Sequence, residues 1–345
     1  MEVLQALQIT WFALWGILWA VYFMLDGFVM GTGMLHLTLS KNENEKRAMI
    51  HAVGPVWNGN EVWLVTAGGA TFAAFPTTYA LMFSYLYTAL LLLLFALIIR
   101  GVSLEFRGKV DSPGWKKLWD MGIFLGGVLP ALLLGVAFGN IFKGLPMDAA
   151  GYHGGLLSLL NPYGLLTGIL FVSLFLVHGG LYVSVKTSGE LSVRAKGFSG
   201  KAWVVLLGVA VLFLAYTAFD TDLFLNYVGM PPLFVVPVAA VASLLLIKVF
   251  MARDSIAMAF ASSCAAIVMV CFTGIIGLFP NLIPSSLDRA YSLTIYNSSS
   301  SQTTLAIMTT VALIFVPIVI AYKIWVYRVF SQRISPQEMG EEKVY

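Results

Sequence analysis

Long apolar stretches follow one another along this chain and constrain its fold more than any other feature. A transmembrane helix needs about 20 apolar residues, because each residue adds 1.5 Å and the hydrocarbon core of a bilayer is about 30 Å thick. Charged residues make up 11% of the chain, whereas soluble domains contain about 25%. We therefore predict an all-α polytopic membrane protein that forms a single membrane domain over residues 1–345. Its nine predicted spans are about 8–36, 49–73, 78–100, 117–141, 163–185, 202–219, 232–250, 255–278 and 303–328.

The Lys and Arg residues indicate how these spans are oriented. Of the 20 Lys and Arg residues, all but Lys143 and Arg289 fall in alternate loops or near the C-terminus. Cytoplasmic loops are the ones that carry an excess of positive charge. We predict that the N-terminus lies outside and the C-terminus in the cytoplasm, which agrees with an odd number of spans. The first apolar run is too long for the core of a signal peptide, so we expect it to remain as a helix.

Polar residues interrupt the second apolar stretch, in the segment GPVWNGNEVW. Glu61 lies there close to Trp57 and Asn58, and Asp26 occupies a similar depth in the first span. A carboxylic acid inside a bilayer is costly unless it is protonated, paired or hydrated, which makes it a candidate functional residue. We expect no Lys or Arg at the depth of Asp26 or Glu61. These acids suit a proton path from the cytoplasm, and the alternative is that they are neutral and join helices by hydrogen bonds.

Histidine is scarce, and one of the four histidines lies deep in a predicted span. His178 precedes two glycines, which could let a flat cofactor such as haem approach the helix. A lone histidine has no second axial ligand in view, so a hydrogen-bonded histidine between helices is the favoured alternative. The sequence contains no zinc-ligand spacing, nucleotide-binding loop or basic tract, and we predict neither a metal site nor nucleic-acid binding.

Several motifs resemble, in order and over nearly the whole chain, those of subunit II of the cytochrome bd-type quinol oxidases. They are LDGFVMGTGML, GPVWNGNEVWLVTAGGATFAAFP, WDMGIF, GVAFGN, LLNPYGLL and the IPSS to SLTIYNSSSSQTTL block. The resemblance implies an accessory membrane subunit of an enzyme complex that oxidises quinol and reduces O₂ to water. It also implies nine helices arranged as two four-helix bundles plus one peripheral helix, in a bacterial or archaeal cell membrane.

The same resemblance implies the partners of this chain. Subunit I would carry haems b and d together with the quinol-oxidising loop, and this chain would hold no haem of its own. We further expect a small single-helix subunit, a structural quinone against lipid-facing helices, and lipid.

Individual residues can be matched to the family pattern. Asp26 corresponds to its first-helix aspartate, Trp57 to the tryptophan of its WxGN motif, and Arg100 to the arginine that ends the third helix. We take Arg100 and Asp120 as candidates for assembly or interface contacts. We expect Arg100→Ala to weaken assembly more than turnover, because a cation at a helix C-terminus can pair with an acid nearby.

The chain departs from the family pattern at two positions. Asn58 stands where some members have a proton-conducting aspartate, and Val29 stands where some place a second aspartate. An asparagine can hold water but releases no proton at physiological pH. Glu61 lies one helical turn from Asn58, where it could supply the titratable group instead. The alternatives to a proton-conducting subunit are a proton-coupled secondary transporter, which also uses acids near the midplane, and a purely structural scaffold.

Overall fold

The structure is a computed structural model, and it describes residues 2–337 and 339. The described part of the chain is almost entirely helical. Its α-helices are α1 (Glu2–Leu39), α2 (Glu43–Val53), α3 (Trp57–Ala74), α4 (Pro76–Tyr85), α5 (Tyr87–Phe106), α6 (Pro113–Lys143), α7 (Pro162–Lys186), α8 (Gly189–Asp220), α9 (Leu225–Gly229), α10 (Val235–Ala252), α11 (Ile256–Leu278) and α12 (Gln302–Val329). Short 3₁₀ turns cover Leu156–Leu160, Pro231–Phe234 and Arg289–Tyr291.

Within the described residues, eight helices are long and apolar enough to cross a membrane. They are α1, α5, α6, α7, α8, α10 with the 3₁₀ turn before it, α11 and α12. Helix α3 has 18 residues, enough to span about 27 Å, but polar side chains crowd its first turns. The observed helices therefore agree with an all-α membrane protein. Helix α3 belongs to the second predicted span, but it is less apolar than these eight helices.

Two predicted spans are each divided in the structure. The span predicted at 49–73 breaks over Gly54–Val56 into α2 and α3, since Pro55 has no N–H to donate. The span predicted at 78–100 begins with Pro76 at the first turn of α4 and is interrupted at Leu86. It then continues as α5 to Phe106, so the prediction that Arg100 ends a helix was wrong.

Helix α1 lies at the centre of the molecule and packs against α3, α6, α7 and α11. Glycines allow its backbone to touch two of these neighbours. A Cβ atom on Gly31 would lie 2.9 Å from the Cα of Gly179 on α7, and one on Gly33 would lie 2.9 Å from the Ile123 carbonyl oxygen on α6. Such backbone contacts are typical of small-residue packing in membranes. By contrast, α12 packs on α1 and α3 and leaves most of its apolar side chains exposed.

Two antiparallel two-stranded sheets close one end of the helices. The strands are β1 (Met147–Asp148), β2 (Gly151–Tyr152), β3 (Asn281–Ile283) and β4 (Leu293–Thr294). The Leu145 N–H donates to the Pro284 carbonyl over 2.9 Å, and the Ser286 N–H donates to the Leu145 carbonyl over 2.9 Å. These bonds join the loop after α6 to the loop after α11.

Candidate functional site

Three charged side chains from three helices meet inside the molecule, and we call them the Arg100 triad. Arg100 on α5 donates from Nη2 to Asp26 Oδ2 on α1 over 2.8 Å and also to Glu61 Oε1 on α3. The side chains of Arg100 and Asp26 are 1% and 0% exposed, whereas Glu61 is 23% exposed. The prediction that no cation lies at the depth of the two acids was therefore wrong. The early end assigned to the third span had placed Arg100 at the membrane surface.

Close packing of α5 on α6 positions Arg100. Gly126 on α6 lies directly beneath it, and a Cβ atom at this position would be 2.7 Å from the Arg100 Cα. One turn away, a Cβ atom at Gly122 would overlap the Ser103 hydroxyl. Because α6 presents no side chain at either point, α5 can lie against it with Arg100 directed toward α1 and α3.

The charges in the Arg100 triad do not balance. An arginine side chain stays protonated in proteins, so one cation faces two carboxyl groups. If both acids are ionised, the triad carries one excess negative charge in a medium where charge interactions are strong. Within the described structure, Nε and Nη1 of Arg100 and Oδ1 of Asp26 have no hydrogen-bond partner. The carboxyl groups of the triad can therefore bind a proton, and Arg100 can donate further hydrogen bonds.

The remaining polar residues of α3 lie on different sides of the helix. Asn58 is exposed on the outer surface of the chain, and Trp57 is half-buried with its ring 3.1 Å from where a Cβ atom of Gly101 would lie. Asn60 is fully buried, donates to the Leu25 carbonyl over 2.8 Å and accepts from the Tyr327 hydroxyl over 2.9 Å. The structure thus brings Glu61 to the Arg100 triad and leaves Asn58 at the surface of the chain.

Asp120 is the centre of a second charged group, which we call the Asp120 cluster. It comprises His36, Glu43, Lys46, Arg107 and Asp120. The buried carboxylate of Asp120 lies 2.6 Å from His36 Nε2 and 2.7 Å from Lys46 Nζ, and it accepts a hydrogen bond from Arg107 Nε. Arg107 also donates two hydrogen bonds of 2.9 Å to Glu43.

These contacts tie α1, α2 and α6 to the loop after α5 within this chain. The sequence indicated Asp120 as an interface residue, but not its three partners or Glu43, which reaches the cluster through Arg107. The charged run from Lys41 to Arg47 could have indicated them, because it lies at the same predicted membrane side as Asp120.

Two members of the Asp120 cluster lie in segments outside the membrane spans, and their pKa values are shifted. Burial opposes the ionised form of Glu43, but the hydrogen bonds and charge of Arg107 outweigh it and lower the pKa of Glu43. Burial likewise opposes the charge on Arg107, but the hydrogen bonds that it donates to Glu43 and Asp120 raise its pKa. Glu43 and Arg107 therefore remain an ion pair at neutral pH. Its stabilising contribution is lost only as the pH falls through the lowered pKa of Glu43.

His178 does not fit the geometry of an axial haem ligand. Its Nδ1 lies 2.7 Å from Ser263 Oγ and its Nε2 lies 2.9 Å from the Met24 carbonyl oxygen. The ring also stacks on Phe260 with a centroid distance of 4.8 Å. With both ring nitrogens engaged, the side chain matches the interhelical alternative. Within residues 2–337 and 339, no group of three or more His, Cys, Asp or Glu side chains could hold a metal ion.

Comparison with known proteins identifies the family. The family model described as cytochrome bd terminal oxidase subunit II matches residues 7–330. The chain is 35% identical to cytochrome bd-I ubiquinol oxidase subunit 2 of Escherichia coli K12, with 97% of each chain covered. It is 37% identical to cytochrome bd ubiquinol oxidase subunit 2 of Bacillus subtilis strain 168, over 97% of this chain and 99% of the relative.

The fold is similar to a chain in the structure of bd oxidase from Geobacillus thermodenitrificans, with a TM-score of 0.78 at 16% identity. This match covers 94% of the present chain and 98% of the other. Together with the sequence matches, it confirms the resemblance seen in the motifs. The chain belongs to the cytochrome bd terminal oxidase subunit II family and is a subunit of a membrane-bound quinol oxidase.

Proposed function

We propose that this chain supports the haem-bearing subunit of its quinol oxidase and contributes a proton path from the cytoplasm through the Arg100 triad. The observation that supports this path is the pairing of one buried cation with two acids, one of which is 23% exposed. Such a site can hold or release one proton while Arg100 stays charged. Asp26 then lies at the buried end of the path and Glu61 at its exposed end.

The exposed side chains of α3 support a path that leaves this chain at Glu61. Asn58 and the exposed part of Glu61 lie one turn apart on this helix, next to the half-buried Trp57. We propose that this surface meets subunit I, where haems b and d reside, and that protons leave this chain through Glu61. Asn58 would contribute hydrogen bonds to water there, without titrating.

The proposal includes the arrangement of the whole chain. All of the chain would form one membrane domain of nine spans, which are the eight apolar helices and α3. They would be arranged as two four-helix bundles with one peripheral helix. The weak packing of α12 on α1 and α3 supports α12 as the peripheral helix. The N-terminus would lie outside and the C-terminus in the cytoplasm, as the distribution of Lys and Arg predicts. A small single-helix subunit would complete the complex.

A structural quinone is the further ligand that we propose for this chain. A groove of about 1000 Å³ runs between α1, α3 and α12 and is lined almost entirely by apolar side chains. Lys323 lines this groove and could donate a hydrogen bond to a ring carbonyl of a quinone. Exposed apolar side chains along α12 would place the isoprenoid tail beside lipid.

Replacing Glu61 by glutamine tests the proton path. The amide keeps the volume of the side chain and an oxygen that can still accept from Arg100, but it cannot titrate. We expect oxygen consumption by the assembled complex to fall by roughly tenfold or more, since positioned acid–base groups contribute at least that much. Haem content and yield should stay unchanged. Glu190→Gln is the matched control, because Glu190 is 86% exposed at the start of α8.

A second variant sharpens this experiment. Asn58→Asp in the Glu61→Gln background should partly restore oxygen consumption, because a water can bridge positions one helical turn apart. Unchanged turnover in Glu61→Gln would contradict the proton path and leave this chain as a structural scaffold. Because the chain belongs to the oxidase family, we do not retain the alternative of a proton-coupled secondary transporter.

A further inference from the structure

Helices α8 and α10 are neighbours that pack only weakly on each other. Each packs mainly on a different helix, α8 on α7 and α10 on α11. A cavity of about 70 Å³ lies among these four helices. Its lining includes Leu206 and Ala210 of α8 together with Ala240, Val241 and Leu244 of α10. Because Val241 is 39% exposed, the wall of the cavity continues to the outer surface of the chain between α8 and α10.

The cavity suits an alkyl chain better than water. Its wall is almost entirely apolar, and a buried water needs two to four polar partners. The hydroxyl groups in the wall already donate to backbone carbonyls, as seen for Thr167, Thr217, Tyr227 and Thr273. Atoms that face an empty space lose dispersion contacts, which an alkyl chain would restore.

Two lysines without an acidic partner lie at one end of the α8–α10 pair. Trp203 joins the two helices there, because its Nε1 donates to the Leu244 carbonyl over 2.7 Å. The Nζ atom of Lys248 lies 5.7 Å from the centroid of the Trp203 ring and 3.9 Å from where a Cβ atom of Gly200 would lie. Lys201 follows Gly200 in α8. Within the described residues, neither Lys201 nor Lys248 forms an ion pair.

The lysines and the cavity belong to one crevice between α8 and α10. Leu244 lines the cavity, and Lys248 lies one helical turn after it on α10. Leu206 lines the cavity from α8, three residues after Trp203. The crevice therefore has cations at one end and apolar walls beyond them, which is the order of headgroup and acyl chain in a phospholipid. The distribution of Lys and Arg predicts that the cationic end faces the cytoplasm, where anionic lipids attract basic side chains.

We propose that the crevice between α8 and α10 binds one phospholipid with an anionic headgroup. Its phosphate accepts hydrogen bonds from Lys201 and Lys248, and one acyl chain enters the cavity between Ala210 and Ala240. Trp203 lies at the level of the glycerol backbone, as tryptophans at membrane interfaces do. A quinone has no charge for the lysines to attract, so the cations select the phospholipid. This site is separate from the Arg100 triad and from the groove between α1, α3 and α12.

Lipid binding to the delipidated complex tests the headgroup contacts. Native mass spectrometry measures binding of phosphatidylglycerol, with phosphatidylcholine for comparison. We expect the complex to bind phosphatidylglycerol more tightly, and Lys248→Gln to weaken this binding by about fivefold, the effect of losing one basic contact to an anionic lipid. Lys117→Gln is the matched control, because Lys117 is exposed on α6 at the same predicted membrane side. Equal binding of the two lipids, or unchanged binding in Lys248→Gln, would overturn the proposal.

A second pair of variants tests the position of the acyl chain. Ala240→Val adds two methyl groups to the wall of the cavity, whereas Ala242→Val makes the same change at an exposed position of α10. We expect Ala240→Val to weaken phosphatidylglycerol binding by roughly tenfold, because about two methylene groups of the chain lose their buried site. Ala242→Val should bind the lipid normally. Haem content and yield check that both variants assemble.

A cryo-EM map of the complex in nanodiscs that contain phosphatidylglycerol shows the occupant directly. We expect a headgroup beside Lys248 and a chain in the cavity, whereas a quinone there or an empty crevice would overturn the proposal. Inorganic phosphate should not displace the lipid. Displacement by phosphate, together with normal binding in Ala240→Val, would mean that the lysines bind a free anion and no lipid. None of these outcomes depends on Glu61→Gln, so this inference and the proposed function fail separately.

Discussion

Arg100 joins three helices in the interior of this protein. Its guanidinium is 1% exposed and is held by Asp26 and Glu61, so three helices meet through one side chain. Removing charges from water is costly, and their mutual attraction offsets that cost only while the group is complete. Loss of Arg100 leaves both carboxyl groups inside the protein without a cation. The triad therefore links the stability of the fold to the site proposed for proton transfer.

We predict that Arg100→Ala reduces the yield of the intact complex. The substitution leaves Asp26 buried without its cation, and breaking a buried pair in this way costs about 3–5 kcal/mol. Size-exclusion chromatography and haem content of the purified complex measure the yield. The double variant Arg100→Gln with Asp26→Asn should recover part of it, because the fully buried carboxylate is removed together with its cation and the remaining acid, Glu61, is 23% exposed.

Arg253→Ala is the matched control for this experiment. Arg253 is exposed in the connection between α10 and α11, so its loss should leave the yield unchanged. A normal yield of complex from Arg100→Ala would show that the buried pairing contributes little to assembly.

The acids of this site could be predicted from the sequence, but their arginine partner could not. Glu61 and Asp26 stand out because they are carboxylic acids within apolar stretches, where a charge is costly. Arg100 was placed at the membrane surface because the third apolar stretch ends there in the sequence. The helix continues through VSLEF to Phe106, so the arginine lies inside the bundle. Hydropathy marks where apolar residues stop, whereas a helix continues as long as its backbone bonds are satisfied.

At the scale of helices, contact between backbones decides where functional side chains lie. Gly31 and Gly179 bring α1 against α7, and Gly126 brings α5 against α6. The spacings Gly27-x-x-x-Gly31 and Gly122-x-x-x-Gly126 are typical of such contacts, but they do not indicate which helices meet. The breaks at residues 54–56 and at Leu86 were not predicted, because apolar residues continue across each of them. Local composition thus predicts that a helix exists more reliably than it predicts where the helix is divided.

We predict that Gly126→Ala destabilises the complex. A methyl group there would lie 2.7 Å from the Arg100 Cα, so α5 and α6 must separate and Arg100 must shift. Overpacking of this kind costs about 1–3 kcal/mol. A thermal inactivation curve of the purified complex should show a lower midpoint temperature and reduced turnover before heating.

Gly208→Ala provides the matched control, because a Cβ atom at Gly208 in α8 meets nothing within 4 Å. Alanine is the better helix former by about 1 kcal/mol, so this variant should keep or raise the midpoint temperature. An unchanged midpoint in Gly126→Ala would mean that α5 and α6 can separate without cost.

For the molecule as a whole, α1 contributes to both charged groups, with His36 in the Asp120 cluster and Asp26 in the Arg100 triad. The Asp120 cluster lies where α2 and the loop after α5 meet α6, and the Arg100 triad lies deeper. This arrangement suits proton movement from one membrane side toward the interior. If α5 crosses the bilayer, Arg107 after α5 can pair with Glu43 of α2 only when α3 crosses as well.

We predict that α3 crosses the membrane, which places Thr77 outside and Lys109 in the cytoplasm. The test introduces Thr77→Cys or Lys109→Cys, both exposed positions, after Cys264 and Cys271 are replaced by alanine. A membrane-impermeant maleimide added to intact spheroplasts should label Cys at position 77 but reach position 109 only after permeabilisation. If α3 does not cross, α1 and α5 still do, and both results reverse. That reversal would put Lys109 on the opposite side from Glu43, although Arg107 pairs with Glu43 in the structure, and it would contradict the nine-span arrangement and the depth on which the proton path relies.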